Sequence, residues 1–111
     1  HVLLLPSRQA ANGDSEGGLP VTLVDAAATG LPAVATRHAD IPELVRDGET
    51  GLLAAEGDVA ALAAQLVRIS REPDLLERLS EQAVDRVRAE FSAERCAASL
   101  RAHYERVLSS R

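Results

Sequence analysis

The chain has 111 residues, which suits one domain of ordinary size and is too short for two full lobes. Its 12 basic residues are all arginine and face 17 acidic ones; the net charge of −5 argues against a nucleic-acid surface. The lack of lysine excludes a Schiff base, a lysine nucleophile or a phosphate-loop lysine within these residues. Apolar residues make up 46% but aromatics only 2%, Phe91 and Tyr104, so the core is expected to rest on Ala, Leu and Val in closely packed helices. Cys96 is the single cysteine, which allows no internal disulfide and no cysteine metal cluster, and a reducing, cytoplasmic setting is the default. No apolar run approaches the roughly 20 residues needed to cross a bilayer. The chain starts at His1 and contains no methionine, which points to a piece of a longer protein.

Residues 2–55 read as alternating strand and helix. Val2–Leu5 is a short apolar run ending at Pro6-Ser7, as expected of a buried parallel strand. Residues 8–18 form a polar loop with glycines. Pro20 has a φ suited to a helix start, Val21–Thr29 is a small apolar helix, and Gly30 is its stop. Pro32–Thr36 reads as a second buried strand, Arg37–Ile41 as a loop, and Pro42–Val45 as one helical turn. Asp47 to Gly51 is a turn by composition, and Gly51–Ala54 a third strand.

Residues 57–111 read as three helices. Asp58 caps the first, whose stripe is Val59, Leu62, Leu66 and Ile69. Pro73 starts the second, with Leu76, Leu79, Ala83 and Val87. Ser92 caps the third, with Ala97, Leu100, Tyr104 and Val107 or Leu108. Glu77, Arg78, Glu81, Asp85, Arg86 and Arg88 are expected on a solvated face. The fold class is therefore α/β: a partial Rossmann-like parallel sheet of about three strands followed by three helices, with two further strands expected before residue 1.

The loop between the first strand and the first helix carries the candidate chemistry. Gly13-Asp14-Ser15-Glu16-Gly17-Gly18 superficially matches a serine-protease nucleophile motif, but Glu16 interrupts it and the 14 residues before Ser15 leave no room for an upstream His and Asp. In open α/β sheets, ligands bind outside the carboxyl ends of the strands, and a helix N-terminus offers N–H groups to phosphate. Gly17 and Gly18 let backbone approach a ligand, Glu16 can accept from hydroxyl groups, and Asp25 can meet a ribose diol. A nucleotide sugar suits this set. From spacing alone, an ordinary acidic, Gly-rich surface loop accounts for it equally well.

The blocks Pro6-Ser7, Glu16-Gly17-Gly18-Leu19-Pro20-Val21-Thr22-Leu23-Val24-Asp25-Ala26, Gly30 to Thr36, Ile41 to Val45, Asp47-Gly48, Thr50 to Leu53, Gly57-Asp58 and Glu90-Phe91-Ser92 keep a shared order and spacing. Together they closely resemble the nucleotide-binding lobe of retaining glycosyltransferases with the GT-B fold, specifically the family 4 group. The resemblance implies the second half of the C-terminal lobe of that fold. Residues 1–56 would be the donor-binding segment and 57–111 the helical segment of the same lobe. It implies transfer of a sugar from a UDP- or GDP-sugar to a glycan, lipid or small-molecule acceptor, with retention and without a metal or other cofactor.

The implied catalytic residue is Glu16, which contacts the donor sugar. Donor binding falls to Glu16, Gly17, Gly18, Leu19, Val21, Thr22 and Asp25, with phosphate at the amides near Val21 and Thr22 and ribose at Asp25. Two departures stand out. Eight residues separate Glu16 from Asp25 where the family has seven, and Asp25 replaces the usual Glu. The arginine and lysine that grip the diphosphate, and the N-terminal lobe that binds the acceptor, belong upstream, so the fragment alone is expected to be inactive. The setting implied is polysaccharide synthesis in the cytoplasm, with a peripheral position at the inner face of the membrane as a further option.

Other residues have plainer roles. His38 is expected to be a surface or loop-bracing residue more than one that touches a ligand, and Cys96 to fill apolar space. Leu100, Tyr104 and Val107 are expected to form an exposed patch that favours self-association of the piece. The alternative to an enzyme is a non-catalytic α/β module that binds a nucleotide or a partner.

Overall fold

In the computed structural model, which describes residues 1–15 and 17–111, the strand–helix alternation becomes a three-stranded parallel sheet. The elements are β1 (Leu3–Leu5), α1 (Val21–Ala28), β2 (Ala33–Thr36), α2 (Ile41–Leu44), β3 (Gly51–Ala54), α3 (Val59–Arg71), α4 (Pro73–Glu90) and α5 (Ala93–Ser109). The sheet order is β1-β2-β3, with Leu3, Leu4 and Leu5 opposite Ala33, Val34 and Ala35, and these opposite Gly51, Leu52 and Leu53.

Alternation along the strands builds two cores. On one face Ala33, Ala35 and Leu53 meet Leu23 and Ala27 of α1, Ile41 and Leu44 of α2, and Ala83 and Val87 of α4. On the other, Val34 and Leu52 meet Ile69 of α3 and Leu75 and Leu79 of α4. Small alanines on the first face let α1 and α2 approach the sheet closely. α4 serves both faces: its early turns close one core and its later turns the other.

Five details differ from the sequence expectations, one being Cys96, which was expected to fill apolar space and is exposed on α5, a helix with no buried residue. β1 is half-buried, not buried, and Leu4 is 44% exposed, because β1 borders only β2 among the described residues. Val59 lies outside the α3 stripe at 79% exposed, since it opens the helix beyond the sheet's rim. In α4 the buried residue of the first turn is Leu75, with Leu76 half-buried. Arg86 is no solvated residue: its side chain is only 11% exposed, donates to the Glu43 carbonyl, pairs with Glu90 at 3.0 Å and lies over the Phe91 ring.

Local signals explain the element ends. Asp58 caps α3 by accepting from the Ala61 N–H at 2.9 Å, and Ser92 caps α5 by accepting from the Arg95 N–H at 3.2 Å. Gly30 takes a φ of +83° just past α1, the usual glycine stop. Among the described residues no helix is long and apolar enough to cross a membrane.

Gly51 is where the sheet is tightest. A Cβ there would lie 2.7 Å from the Ala33 carbonyl oxygen and 2.7 Å from a Val45 methyl. Gly51→Ala is therefore expected to destabilise the fold by about 1–3 kcal/mol, as overpacking does. Urea unfolding of the variant against wild type measures it, and an unchanged midpoint would refute the close packing.

Candidate functional site

The carboxyl ends of all three strands open on one edge of the sheet. Three loops gather there: 6–20 after β1, 37–40 after β2, and 55–58 after β3. The Thr36 hydroxyl at the end of β2 donates to the Ser7 carbonyl, and the Arg37 N–H donates to the Ala54 carbonyl at 2.9 Å, so the loop roots are tied together.

His38 joins all three loops. It is buried, with only 4% of its surface exposed. Its Nδ1 lies 2.9 Å from Glu56 Oε1, and its Nε2 lies 3.1 Å from Ser15 Oγ. The same Glu56 oxygen accepts from the Gln9 N–H at 2.7 Å, and Ser15 Oγ accepts from the Gly17 N–H at 3.2 Å. The expectation that His38 braces its loop is met. The bracing partners were not visible in the sequence, because Ser15 lies 23 residues before His38 and Glu56 lies 18 after it.

Of the sequence-predicted site residues, Glu16 lies outside the described residues. Gly17 and Gly18 follow with φ of +66° and +62°, and a Cβ on either would meet nothing within 4 Å. Left-handed backbone, not crowding, is therefore what calls for glycine at both positions. The Asp40 N–H donates to the Gly18 carbonyl at 3.3 Å, which ties the glycine pair to the loop after β2. Leu19 packs its side chain on the core, leaving its backbone available to a ligand.

Pro20 is the N-cap of α1, with no side-chain capping bond. The N–H groups of Val21 and Thr22 find no acceptor among the described residues. Two backbone donors and the positive end of the helix thus point at the strand ends. Asp25 is exposed, four residues after Val21 and so on the same helical face. Gly17 and Gly18 precede α1, Val21 and Thr22 open it, and Asp25 follows one turn further along.

A cavity of about 240 Å³ on the α3 side of these strand ends escaped the sequence reading. Pro6, Arg8, Thr36, Gly57, Asp58, Val59 and Leu62 line it, and Arg8 contributes a positive charge. Its signal in the sequence was the Gly57-Asp58 helix opening beside the Pro6 bend. Among the described residues, no group of three or more His, Cys, Asp or Glu could hold a metal ion.

These strand ends and helix starts belong to a recognisable family. The model of the family described as glycosyl transferases group 1 matches residues 1–72. The chain belongs to the group 1 glycosyl transferases. WcaL of Salmonella typhimurium, whose name assigns it to colanic acid biosynthesis as a glycosyltransferase, is 46% identical over 92 residues, 82% of this chain and 22% of WcaL. The amylovoran biosynthesis glycosyltransferase AmsK of Erwinia amylovora is 53% identical over 70 residues, 63% of this chain and 17% of AmsK. Among solved structures, sucrose-phosphate synthase from Thermosynechococcus elongatus superposes with a TM-score of 0.73 at 28% identity, covering 84% of this chain and 23% of that one. The chain thus spans roughly a fifth of the length of these relatives. The fold is that of a GT-B glycosyltransferase lobe.

The Gln9 N–H and the His38 ring hold the Glu56 carboxyl below its ordinary value of 4.5. A depressed carboxylate stabilises the fold above its unfolded value, and the contribution is lost as pH falls through the lower folded value. Stability is therefore expected to drop below about pH 4.5, with Glu56→Gln flattening that part of the curve. Urea midpoints from about pH 6 down to about pH 3 check this; parallel curves for the two proteins would contradict it.

Proposed function

We propose that the full-length protein is a retaining glycosyltransferase of family 4 that takes a UDP- or GDP-linked sugar and passes it to a glycan, lipid or small-molecule acceptor. The observation that carries the reading is the N-terminus of α1, whose first two N–H groups find no acceptor among the described residues, beside the glycine pair at the carboxyl ends of the strands. In the transfer, an acceptor hydroxyl oxygen replaces the diphosphate at the anomeric carbon, and negative charge grows on the leaving group. The N–H groups of Val21 and Thr22 and the helix dipole would stabilise that charge. Asp25 would accept from the ribose hydroxyls, and Glu16 would orient the sugar as the catalytic residue. Arginine or lysine grips for the diphosphate, and the acceptor-binding lobe, would come from the rest of the protein.

On this reading residues 1–56 are the donor-binding segment and 57–111 the helical segment of the same lobe. The names of WcaL and AmsK, which speak of colanic acid and amylovoran biosynthesis, support a setting in polysaccharide synthesis; a cytoplasmic position, with the inner face of the membrane as a further option, belongs to the same proposal. No metal or other cofactor is required in this scheme.

Titration of the full-length protein with UDP- and GDP-sugars tests the assignment. Asp25→Ala is expected to weaken donor binding about tenfold, the value of one good charged hydrogen bond. Glu16→Ala is expected to lower kcat by about 100-fold or more, as loss of a group acting on the reacting sugar does. Unchanged binding and turnover in both variants would remove both residues from the site.

α5 supports a second consequence. It has no buried residue, and Leu100, Tyr104, Val107 and Leu108 are 54–62% exposed. Residues 1–111 alone are expected to self-associate through this face. Light scattering across a concentration series checks it: Tyr104→Asp should shift the piece toward monomer, and a wild-type piece that stays monomeric would refute it.

A further inference from the structure

We infer that His38 is a positioning residue for the donor-side loop, acting through Ser15 on one ring nitrogen and Glu56 on the other; the inference rests on the function proposed above. The hydrogen bonds run in one consistent direction. Ionised Glu56 only accepts, so His38 Nδ1 carries a proton toward it. In the neutral ring Nε2 then accepts from the Ser15 hydroxyl, and the Ser15 oxygen accepts from the Gly17 N–H. Ser15 and Gly17 are the chain neighbours of Glu16 on either side. The buried ring thus ties Ser15, and through it Gly17, to the loop that opens α3, and Glu16, which the proposed function assigns to the sugar, stands between these two in the sequence.

Two further observations show why such an anchor is needed. Gly17 and Gly18 both sit at positive φ, and glycine loses more conformational freedom on ordering than any other residue. A glycine pair holds one shape only where something outside it does the holding. Ala39, directly after His38, has a φ of +48°, a conformation that costs energy without a glycine and persists where its surroundings over-determine it. This strained turn directly follows the His38 ring that bridges Ser15 and Glu56.

Ser15, His38 and Glu56 also have the order of contacts found in a nucleophilic triad. The Ser15 oxygen, however, already accepts the Gly17 N–H, a donor that an acyl-transfer site would aim at substrate. That favours a brace over a nucleophile.

The test uses the full-length protein, with calorimetric titration of UDP-glucose, UDP-N-acetylglucosamine, GDP-mannose and GDP-fucose, and slow donor hydrolysis as the turnover readout. His38→Ala is expected to raise the donor Kd and KM about tenfold and to lower kcat as well, because the loop it holds carries both the glycine pair and Glu16. His38→Asn retains the arm to Glu56 and His38→Gln the arm to Ser15, so both should fall between wild type and His38→Ala. Ser15→Ala, on the exposed side of the contact, should reproduce part of the KM effect without a drop in Tm, and adding it to His38→Ala should make nothing worse.

A folded His38→Ala variant with wild-type donor KM overturns the inference and leaves the proposed function standing. So does a loss of activity that only tracks a loss of Tm, with no change in KM. Hydrolysis of p-nitrophenyl acetate that vanishes in Ser15→Ala while donor binding stays intact overturns it in favour of a nucleophilic triad. If the wild-type protein binds none of the four donors, the functional reading falls, and this inference with it.

Discussion

Burying β2 on both faces is the constraint from which the rest of the structure follows. All four of its residues, Ala33 to Thr36, are buried, and a parallel strand in that position needs helices on each side. α1 and α2 cover one face and α3 the other, but none of them spans the sheet. α4 does so, running 18 residues from the Leu75–Leu79 core to the Ala83–Val87 core. Polar side chains pin it along that course: Ser80 donates to the Gly30 carbonyl at 2.6 Å and Arg78 to the Gly48 carbonyl at 2.9 Å. Gly30 and Gly48 lie in the turns before β2 and β3. α4 is thus fastened to the amino ends of the strands, and the carboxyl ends are left to the loops and to a ligand.

At the carboxyl ends the chain has little apolar surface to bury, so order comes from hydrogen bonds. The buried His38 ring, the Glu56 carboxylate and the Ser15 hydroxyl form a short polar network in which each group has a partner, the condition under which such a network adds rigidity. Nearby positive potential is modest. The α1 N-terminus, Arg8 and Arg37 supply it, the last paired with Asp47 at 3.7 Å, within a chain of net charge −5. A donor diphosphate bound here would draw most of its counter-charge from residues outside this chain.

Legibility in the sequence followed sequence distance. β2 and β3 were readable because they are continuous apolar runs bounded by Pro32 and Gly51, and α3 and α5 because Asp58 and Ser92 stand where caps belong. The exposure of Leu4 and Val59 was not, since it depends on what borders an edge strand and how far a helix overhangs the sheet. Arg86 read as one more charge on a polar face; its burial comes from Glu43 and Phe91, which the helical period does not reveal. The Gly17-Gly18 pair was readable as a place without side chains, but its left-handed backbone was not, because sequence does not show the sign of φ. His38 was legible as a surface or loop-bracing residue; its burial and its partners emerge only in three dimensions.

The extra residue between Glu16 and Asp25 can be placed by the same reasoning. Leu19 is held on the core, Pro20 sets the helix entry, and Leu23 and Ala27 fix the rotation of α1 against the sheet. Asp25 therefore has no freedom to shift along the helix, and its register is set by packing alone. Any slack has to lie upstream of Leu19, where Gly17 and Gly18 adopt left-handed backbone that touches nothing. On the proposed function, the second glycine lets the loop take up one more residue while the ties from Ser15 to His38 and from Gly18 to Asp40 keep its two ends in place. On that function the shorter Asp25 side chain then reaches less far from a fixed helix.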